Sequence, residues 1–222
     1  MTERPDVPDI PVTAPDAPHE TDTPELALTE QIAGVATSHA LFELSVADLD
    51  EEAVRRPSRL PGWTLAHVLA HVAKNADSVV RRYDAALRNG LAPQYPGGGA
   101  GRAAEIEECA AARVAELLAD LRRADAEVDQ RFADAPAELW ERKVLAGERT
   151  IPVSRLVLSR WREVEIHHVD LDLGYEPTHW PEPMVRIWLP RLMDSLQDRA
   201  DPRELAAWIT RRGPAPELPS WG

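Results

Sequence analysis

The stretch Trp161-Arg-Glu-Val-Glu-Ile-His-His-Val-Asp170 decides how the rest of the chain is interpreted. In a helix, Glu163 and His167 lie four residues apart on one face, so a carboxylate oxygen and an imidazole nitrogen can bind one metal ion. Apolar residues such as Val164 and Val169 predict that this helix is mostly buried. Because buried carboxylates and imidazoles need partners, burial favours a binding site over a chance ion pair on the surface.

A third ligand is expected on another helix, since catalytic zinc sites usually have three protein ligands and one open position. A second helix is predicted from the N-cap residue Thr64 to Asn89-Gly90. His71 lies nearest its apolar stripe and is the predicted third ligand, whereas a solvated face is an equal alternative for Ser78 and Arg82. The polar line beside that stripe consists of Thr64, His67, His71, Asn75, Ser78 and Arg82.

The composition restricts the class of protein. The chain has 222 residues, a net charge of −13 and no basic run, which argues against binding to nucleic acid or to an anionic membrane. No apolar stretch approaches the length of a membrane helix, and no secretory signal is visible, so the sequence predicts a cytoplasmic protein. Cys109, the single cysteine, excludes an internal disulfide and is interpreted as a small core residue.

The chain divides into three parts. Residues 1–24 are acidic and rich in proline and are predicted to be a disordered tail. Residues 25–175 carry helical periodicity and predict a mainly α bundle, and residues 176–222 form a carboxyl-terminal helical or irregular extension. The predicted elements are helices over 24–49, 64–87, 102–132 and 153–173, a mobile glycine-containing loop over 91–101, a hairpin of 143–145 with 149–151, and shorter helices over 184–196 and 203–212.

Three segments of the chain form a combined pattern. They are Leu60-Pro-Gly-Trp-Thr64 with His67-Val-Leu-Ala-His71 and Asn75, Arg162-Glu-Val-Glu-Ile-His167-His-Val-Asp-Leu171 with Gly174-Tyr175, and Ala206-Ala-Trp208 through Arg212-Gly213 to Pro216-Glu-Leu-Pro-Ser-Trp221. With the loop at Tyr95 and Arg102 included, the pattern covers nearly everything after the first 25 residues. At these residues the chain resembles the mycothiol-dependent maleylpyruvate isomerase family, which belongs to the DinB-like metal-binding four-helix bundles.

The resemblance implies a DinB-like four-helix bundle with a short carboxyl-terminal appendage. It also implies a Zn²⁺ site, or a site for another divalent metal, formed by His71, Glu163 and His167. The fourth position would receive the thiol of mycothiol or a related low-molecular-weight thiol, and a small electrophile such as maleylpyruvate would undergo cis-trans isomerization. The other implied site residues are Arg82, Arg102 and Arg212 as cations for catalysis and Asn75 and Tyr95 for binding the thiol cofactor.

Several alternatives stay open at this point. A thiol-dependent transferase or isomerase of unspecified substrate ranks above maleylpyruvate isomerization proper. A metal-dependent hydrolase would need the same ligands and a general base, for which Asp170 is the candidate; Asp170 and Asn75 are otherwise predicted to support the ligands from outside. A sensor that binds metal without turnover would have a closed site that includes His67. His168 is predicted to be a core or supporting residue, and the protein is expected to be a monomer or homodimer.

Overall fold

The computed structural model describes residues 26–218, so the predicted acidic tail over 1–24 and the chain end at Trp221 lie outside the described residues. The described part is mainly helical, with short 3-10 turns between some elements. Its elements are α1 (Leu28–Val46), α2 (Leu65–Leu87), α3 (Gly98–Ala110), α4 (Val114–Ala133), β1 (Lys143–Ala146), β2 (Arg149–Pro152), α5 (Ser154–Asp170), α6 (Glu182–Leu196) and α7 (Pro202–Ile209).

Helices α1, α2, α4 and α5 form a four-helix bundle. Each of α1 and α2 packs against both α4 and α5, while α3 packs on the outside of α2 and α6 contacts α5. Apolar stripes of the kind predicted for a core-facing helix meet at the centre, where Phe42, Leu69, Leu121 and Leu156 are fully buried. A four-helix bundle with a carboxyl-terminal appendage is therefore confirmed as the architecture.

The prediction of one long helix over 102–132 is wrong, because the chain breaks between α3 and α4. Contacts from distant residues satisfy the helix ends at this break. The guanidinium of Arg55 donates to carbonyl oxygens at the end of α3, including that of Ala112 at 2.7 Å. The carboxylate of Glu51 accepts a hydrogen bond from the backbone nitrogen of Val114 at 2.8 Å. Helical periodicity continues through the break, so the local pattern does not reveal it.

The predicted mobile loop over 91–101 is shorter than expected, since α3 already begins at Gly98. The glycine run allows a close approach that a side chain would prevent. A Cβ atom on Gly101 would lie only 1.7 Å from the carbonyl oxygen of Pro96. This approach folds the start of α3 onto α2 and brings Arg102 beside the second helix.

The remaining elements follow their predictions. Strands β1 and β2 pair antiparallel with Val144 opposite Ile151, and Gly147 takes a positive φ of 62° in the turn between them. Helices α5, α6 and α7 occupy the stretches predicted for them, with ends that differ by a few residues. Within residues 26–218, no helix combines the length and the apolar character needed to cross a bilayer.

Candidate metal centre

The structure brings the three predicted ligands together. His71 lies in the second turn of α2 and faces α5, where Glu163 and His167 project from successive turns. The Glu163 Oε2 atom is 3.4 Å from His71 Nε2 and 3.5 Å from His167 Nε2. One potential ligand atom from each of the three residues lies within 4.8 Å of the others. Among residues 26–218 this is the cluster of His, Cys, Asp and Glu residues that can hold a metal ion.

The charges within the cluster are strongly coupled. Burial disfavours ionisation of Glu163, but hydrogen bonds and positive charge from His167 and His71 hold its pKa well below the ordinary value. Burial lowers the pKa of His71. Burial acts in the same direction on His167, but Asp170 and Glu163 outweigh it and raise the pKa of His167 to about 8. The site thus keeps one carboxylate and one neutral imidazole at neutral pH.

Residues around the cluster fix the orientation of its rings. His167 Nδ1 and Asp170 Oδ2 are 2.8 Å apart, which leaves His167 Nε2 facing Glu163. Arg102 Nη2 donates to His71 Nδ1 at 3.2 Å. A carboxylate in the position of Asp170 commonly orients a metal-binding histidine and sets its basicity. Asp170 therefore lies where it can support His167 from outside the ligand set, as the sequence predicts.

A cavity of about 750 Å³ opens beside the cluster. The hydroxyl of Tyr95 is buried there and finds no hydrogen-bond partner among the described residues. The Arg102 guanidinium lies 5.8 Å from the centroids of both the Trp63 and the Tyr95 rings. The cavity is lined by Leu60, Trp63, His71, Asn75, Gln94, Tyr95, Arg102, Glu163, Ile166, His167 and Asp170.

The donor set fits a divalent metal with an open position. Two imidazole nitrogens and one carboxylate oxygen are the ligand types of catalytic zinc sites, which keep a fourth position for water or substrate. The adjoining cavity supplies room at that position, and Arg102 and Tyr95 are among its lining residues. A divalent metal held by these residues would act as a Lewis acid next to the guanidinium of Arg102.

Two of the predicted cations do not line the cavity, although Arg82 is close enough to Glu163 and Tyr95 for their charges to act on it. The Arg82 side chain is buried and bonded to the Ser78 carbonyl oxygen at 3.1 Å and to the Leu145 carbonyl oxygen at 3.4 Å. Arg212 is exposed after the end of α7, where its guanidinium contacts the carbonyl oxygen of Thr210. Neither residue lines the cavity, whereas Arg102, Tyr95 and Asn75 do.

The other histidines have structural partners. The Nδ1 atom of His67 accepts a hydrogen bond from the backbone nitrogen of Thr64 at 3.2 Å and so takes part in capping α2. His67 therefore does not join the three-residue cluster. His168 is buried, stacks on Tyr175 with ring centroids 3.8 Å apart, and lies 2.7 Å from Ser45 Oγ. Its placement agrees with the predicted core role.

Sequence reasoning missed two contributors to the site. Trp63 forms a wall of the cavity and meets the His71 ring edge-on at 5.6 Å. Arg160 is fully buried, pairs with Asp125, and donates to Asn75 Oδ1 at 3.0 Å, which fixes this amide beside the cavity. The available signal was an arginine on the apolar face of α5, a position that requires a buried acidic partner.

Cys109 does not offer a protein nucleophile. It lies on α3, where burial raises the pKa of the thiol to about 11. Because the thiolate is the reactive form, this side chain is unreactive at neutral pH. Its placement against the core agrees with the prediction of a small packing residue.

Comparison with solved structures shows the same fold. The crystal structure of the mycothiol-dependent maleylpyruvate isomerase matches with a TM-score of 0.70 and 27% identity, over 74% of this chain and 68% of that chain. A histidine-to-alanine mutant of that isomerase matches over the same shares with 26% identity and a TM-score of 0.70. YfiT from Bacillus subtilis, described as a probable metal-dependent hydrolase with an unusual four-helix bundle topology, matches at 17% identity with a TM-score of 0.52, over 66% of this chain and 85% of that chain. The last likeness concerns the fold alone, and together the matches confirm the DinB-like bundle.

No curated protein sequence matches the chain. A family profile described as the mycothiol maleylpyruvate isomerase N-terminal domain matches residues 35–172. The match covers α2, α4 and α5 and the part of α1 from Val35 onward, and it includes all three residues of the cluster. The chain therefore belongs to the family of the mycothiol maleylpyruvate isomerase N-terminal domain.

Proposed function

We propose that the protein is a zinc-dependent transferase or isomerase that uses mycothiol, or a related low-molecular-weight thiol, to act on a small electrophile. The observation that carries this proposal is the cluster of His71, Glu163 and His167, with ligand atoms within 4.8 Å beside a cavity of about 750 Å³. Membership of the family supports the thiol, because the related crystal structure is that of a mycothiol-dependent isomerase.

A bound divalent metal would supply Lewis-acid chemistry, which lowers the pKa of a thiol so that it is present as thiolate near neutral pH. The chain itself holds the ligand set in place. Asp170 orients His167, and Glu163 lies between the two imidazoles. Two histidines and one carboxylate from α2 and α5 would bind the metal, and the side of the cluster that faces the cavity stays open for a further ligand.

Arg102 is the cation best placed to bind an anionic group of the thiol or electrophile. It lies between the Trp63 and Tyr95 rings on the cavity wall. Its Nη2 atom lies 3.2 Å from His71 Nδ1, so the guanidinium stands next to the residues that would hold the metal. A planar guanidinium suits bidentate binding of a carboxylate.

The electrophile is expected to be small and to carry a carboxylate. The Arg102 guanidinium on the cavity wall favours a ligand with a carboxylate, because a guanidinium binds carboxylates through paired hydrogen bonds. Maleylpyruvate is the first candidate, since it is the substrate named for the related isomerase. A reducing compartment would keep the thiol in its active form, and we place the protein in the cytoplasm on this ground.

The proposal is tested by metal analysis and thiol-dependent turnover of the same preparations. Purified protein should contain about one zinc per chain, and the metal should be lost in His71→Ala and His167→Ala. His67→Ala is the matched control, because His67 lies one turn from His71 and is bonded to Thr64 instead. Metal content that is unchanged in both ligand variants would show that the cluster is not the metal site.

Turnover is then measured with mycothiol and a panel of small unsaturated acids that includes maleylpyruvate. Wild-type protein should convert at least one acid only when thiol is present. Arg102→Gln should retain its zinc and lose turnover by roughly 100-fold, as is common when a transition-state cation is removed. Conversion without thiol would favour a metal-dependent hydrolase. Against that alternative, Asp170, its candidate general base, is already hydrogen-bonded to His167. Zinc binding without any conversion would favour a sensor.

A further inference from the structure

A buried arginine lies next to the metal centre, in the adjoining layer of side chains between α2 and α5. Arg160 precedes Glu163 by three residues on α5, and Asn75 follows His71 by four residues on α2. Residues three or four apart lie on the same face of a helix, so the contact of Arg160 with Asn75 is one turn away from the metal cluster. The Arg160 side chain is fully buried.

The guanidinium of Arg160 is held by partners on the three other bundle helices. Its Nε atom donates to His39 Nε2 on α1 at 3.0 Å, and its Nη2 atom donates to Asp125 on α4. Its Nη1 atom donates to two acceptors on α2, the Val72 carbonyl oxygen at 2.9 Å and Asn75 Oδ1 at 3.0 Å. Because a guanidinium is planar and its donors point in fixed directions, these contacts leave it one orientation.

The contact with Arg160 fixes the polarity of the Asn75 amide. A guanidinium donates hydrogen bonds and accepts none, so the Asn75 atom next to it is the carbonyl oxygen. Within residues 26–218, Arg160 is the hydrogen-bond partner of this amide. Asn75 also lines the cavity beside the metal cluster, whereas Arg160 does not. The two N–H donors of the amide are therefore left for a ligand in the cavity.

An amide with unused donors is unfavourable at this position. Asn75 is only 4% exposed, and buried N–H groups without an acceptor raise the free energy of the folded protein. A ligand that places an oxygen next to the amide would supply the missing acceptor. Arg102 lines the same cavity and also carries donors alone, so the two side chains together suit a ligand with carboxylate or carbonyl oxygens.

We propose that Asn75 binds an oxygen of the ligand through its amide NH2 group, and that Arg160 is a positioning residue that holds the amide in this orientation. This inference rests on the proposed function, because it concerns the ligand that occupies the cavity beside the metal. The oxygen belongs to a carboxylate or carbonyl group of the thiol or of the small acid. Asp125 balances the charge of Arg160, so Arg160 acts through the amide and not by attracting the ligand directly.

The first test measures the binding of mycothiol and of maleate separately, by calorimetric titration of the zinc-loaded protein. Asn75→Ala removes the amide, whereas Asn75→Asp replaces the NH2 group by a carboxylate oxygen and keeps an acceptor for Arg160. In both variants the affinity for one of the probes should fall by roughly tenfold or more, as for the loss of a hydrogen bond to a charged group. The affected probe identifies the source of the oxygen. Ser78→Ala is the matched control, because Ser78 is buried one turn further along the same polar line and does not line the cavity.

The second test asks whether Arg160 acts through Asn75. Arg160→Lys keeps the positive charge near Asp125 but loses the planar set of donors. It should weaken binding of the affected probe by roughly threefold or more, and it should have no further effect in the Asn75→Ala background. Arg160→Met with Asp125→Leu, an apolar replacement of the kind that buried ion pairs often tolerate, serves the same comparison if the lysine variant does not fold. His39→Leu is the control, since it removes a different partner of Arg160 and should lower stability without changing affinity.

The possible outcomes separate this inference from the proposed function. Unchanged affinity in both Asn75 variants, with zinc and wild-type binding intact, would overturn the inference and leave the proposed function standing. A loss in Asn75→Asp alone would reflect repulsion by the new carboxylate and would also overturn it, as would a loss of zinc in Asn75→Ala without a loss of probe affinity. A further loss from Arg160→Lys in the Asn75→Ala background would show a general structural role for Arg160. Wild-type protein that binds neither probe would overturn the proposed function as well.

Discussion

At the scale of single residues, the pair Asp170 and His167 determines how well the site can hold a metal. Replacing the carboxylate by an amide in Asp170→Asn should weaken zinc binding by about 10–100-fold, because Nδ1 of His167 loses the negatively charged partner that raises the basicity of its ring. Asp172→Asn is the matched control, since Asp172 is exposed and pairs with Arg59. Competition titrations with a chromophoric chelator measure both affinities. Equal losses in the two variants would show that the effect is not specific to His167.

The protonation of His167 gives zinc binding a defined pH dependence. Its pKa is raised to about 8 in the metal-free protein, so a proton must leave before the imidazole can bind metal. Apparent affinity should therefore fall by about tenfold for each pH unit below 8 and level off above 8. Asp170→Asn removes a group that raises this pKa, so the pH at which the zinc affinity of the variant levels off should be lower than in the wild type. Affinity that is constant from pH 6 to 9 would contradict the assignment of His167.

The two ligands on α5 could be predicted from the sequence, because helical geometry fixes the distance between residues four apart. The third could not be predicted with the same certainty. His67 and His71 lie on the same polar line of α2, and their different roles depend on contacts with Thr64 in one case and with Glu163 in the other. The hydrogen bond from Arg102 to His71 joins residues 31 positions apart, and no local pattern indicates it.

At the scale of elements, the contact of α1 with α5 depends on Gly34. A Cβ atom at this position would lie 2.3 Å from the Trp161 ring, which is itself buried between the helices. Gly34→Ala should therefore lower the free energy of unfolding by about 1–3 kcal/mol through overpacking. Gly99→Ala is the control, because no atom lies within 4 Å of its added Cβ, and helix propensity favours alanine. Urea denaturation compares the two, and equal stability would show that α1 shifts without cost.

Helix positions were predictable because apolar periodicity reflects the side of each helix that faces the core. The break between α3 and α4 was not predictable, because Arg55 and Glu51 cap the two helix ends from elsewhere in the chain. The glycine run predicts a mobile loop, whereas Gly101 permits contact with Pro96 at the start of α3. Both errors arose where long-range contacts outweigh local preference.

At the scale of the whole molecule, the candidate site joins α2 to α5. Glu163 is 92 residues and His167 is 96 residues after His71 in the sequence. An unfolded chain cannot keep these ligands together, so the metal binds the folded state preferentially. Without metal, the cluster retains a buried carboxylate between two imidazoles. Metal binding should therefore raise the free energy of unfolding of the bundle, and the increase should grow as more of the site is occupied.

Zinc at 100 times its dissociation constant should stabilise the fold by about 2.7 kcal/mol. For a chain of this size, each kcal/mol raises the melting temperature by about 2–4 °C, so the zinc-loaded protein should melt about 5–11 °C above the metal-free protein. Calorimetry of both forms measures the shift, which should vanish in His71→Ala and persist in His67→Ala. Residues 26–218 contain no second cluster of His, Cys, Asp and Glu that can hold a metal ion. A melting-temperature shift that persists in His71→Ala would therefore contradict the assignment of the metal to this cluster.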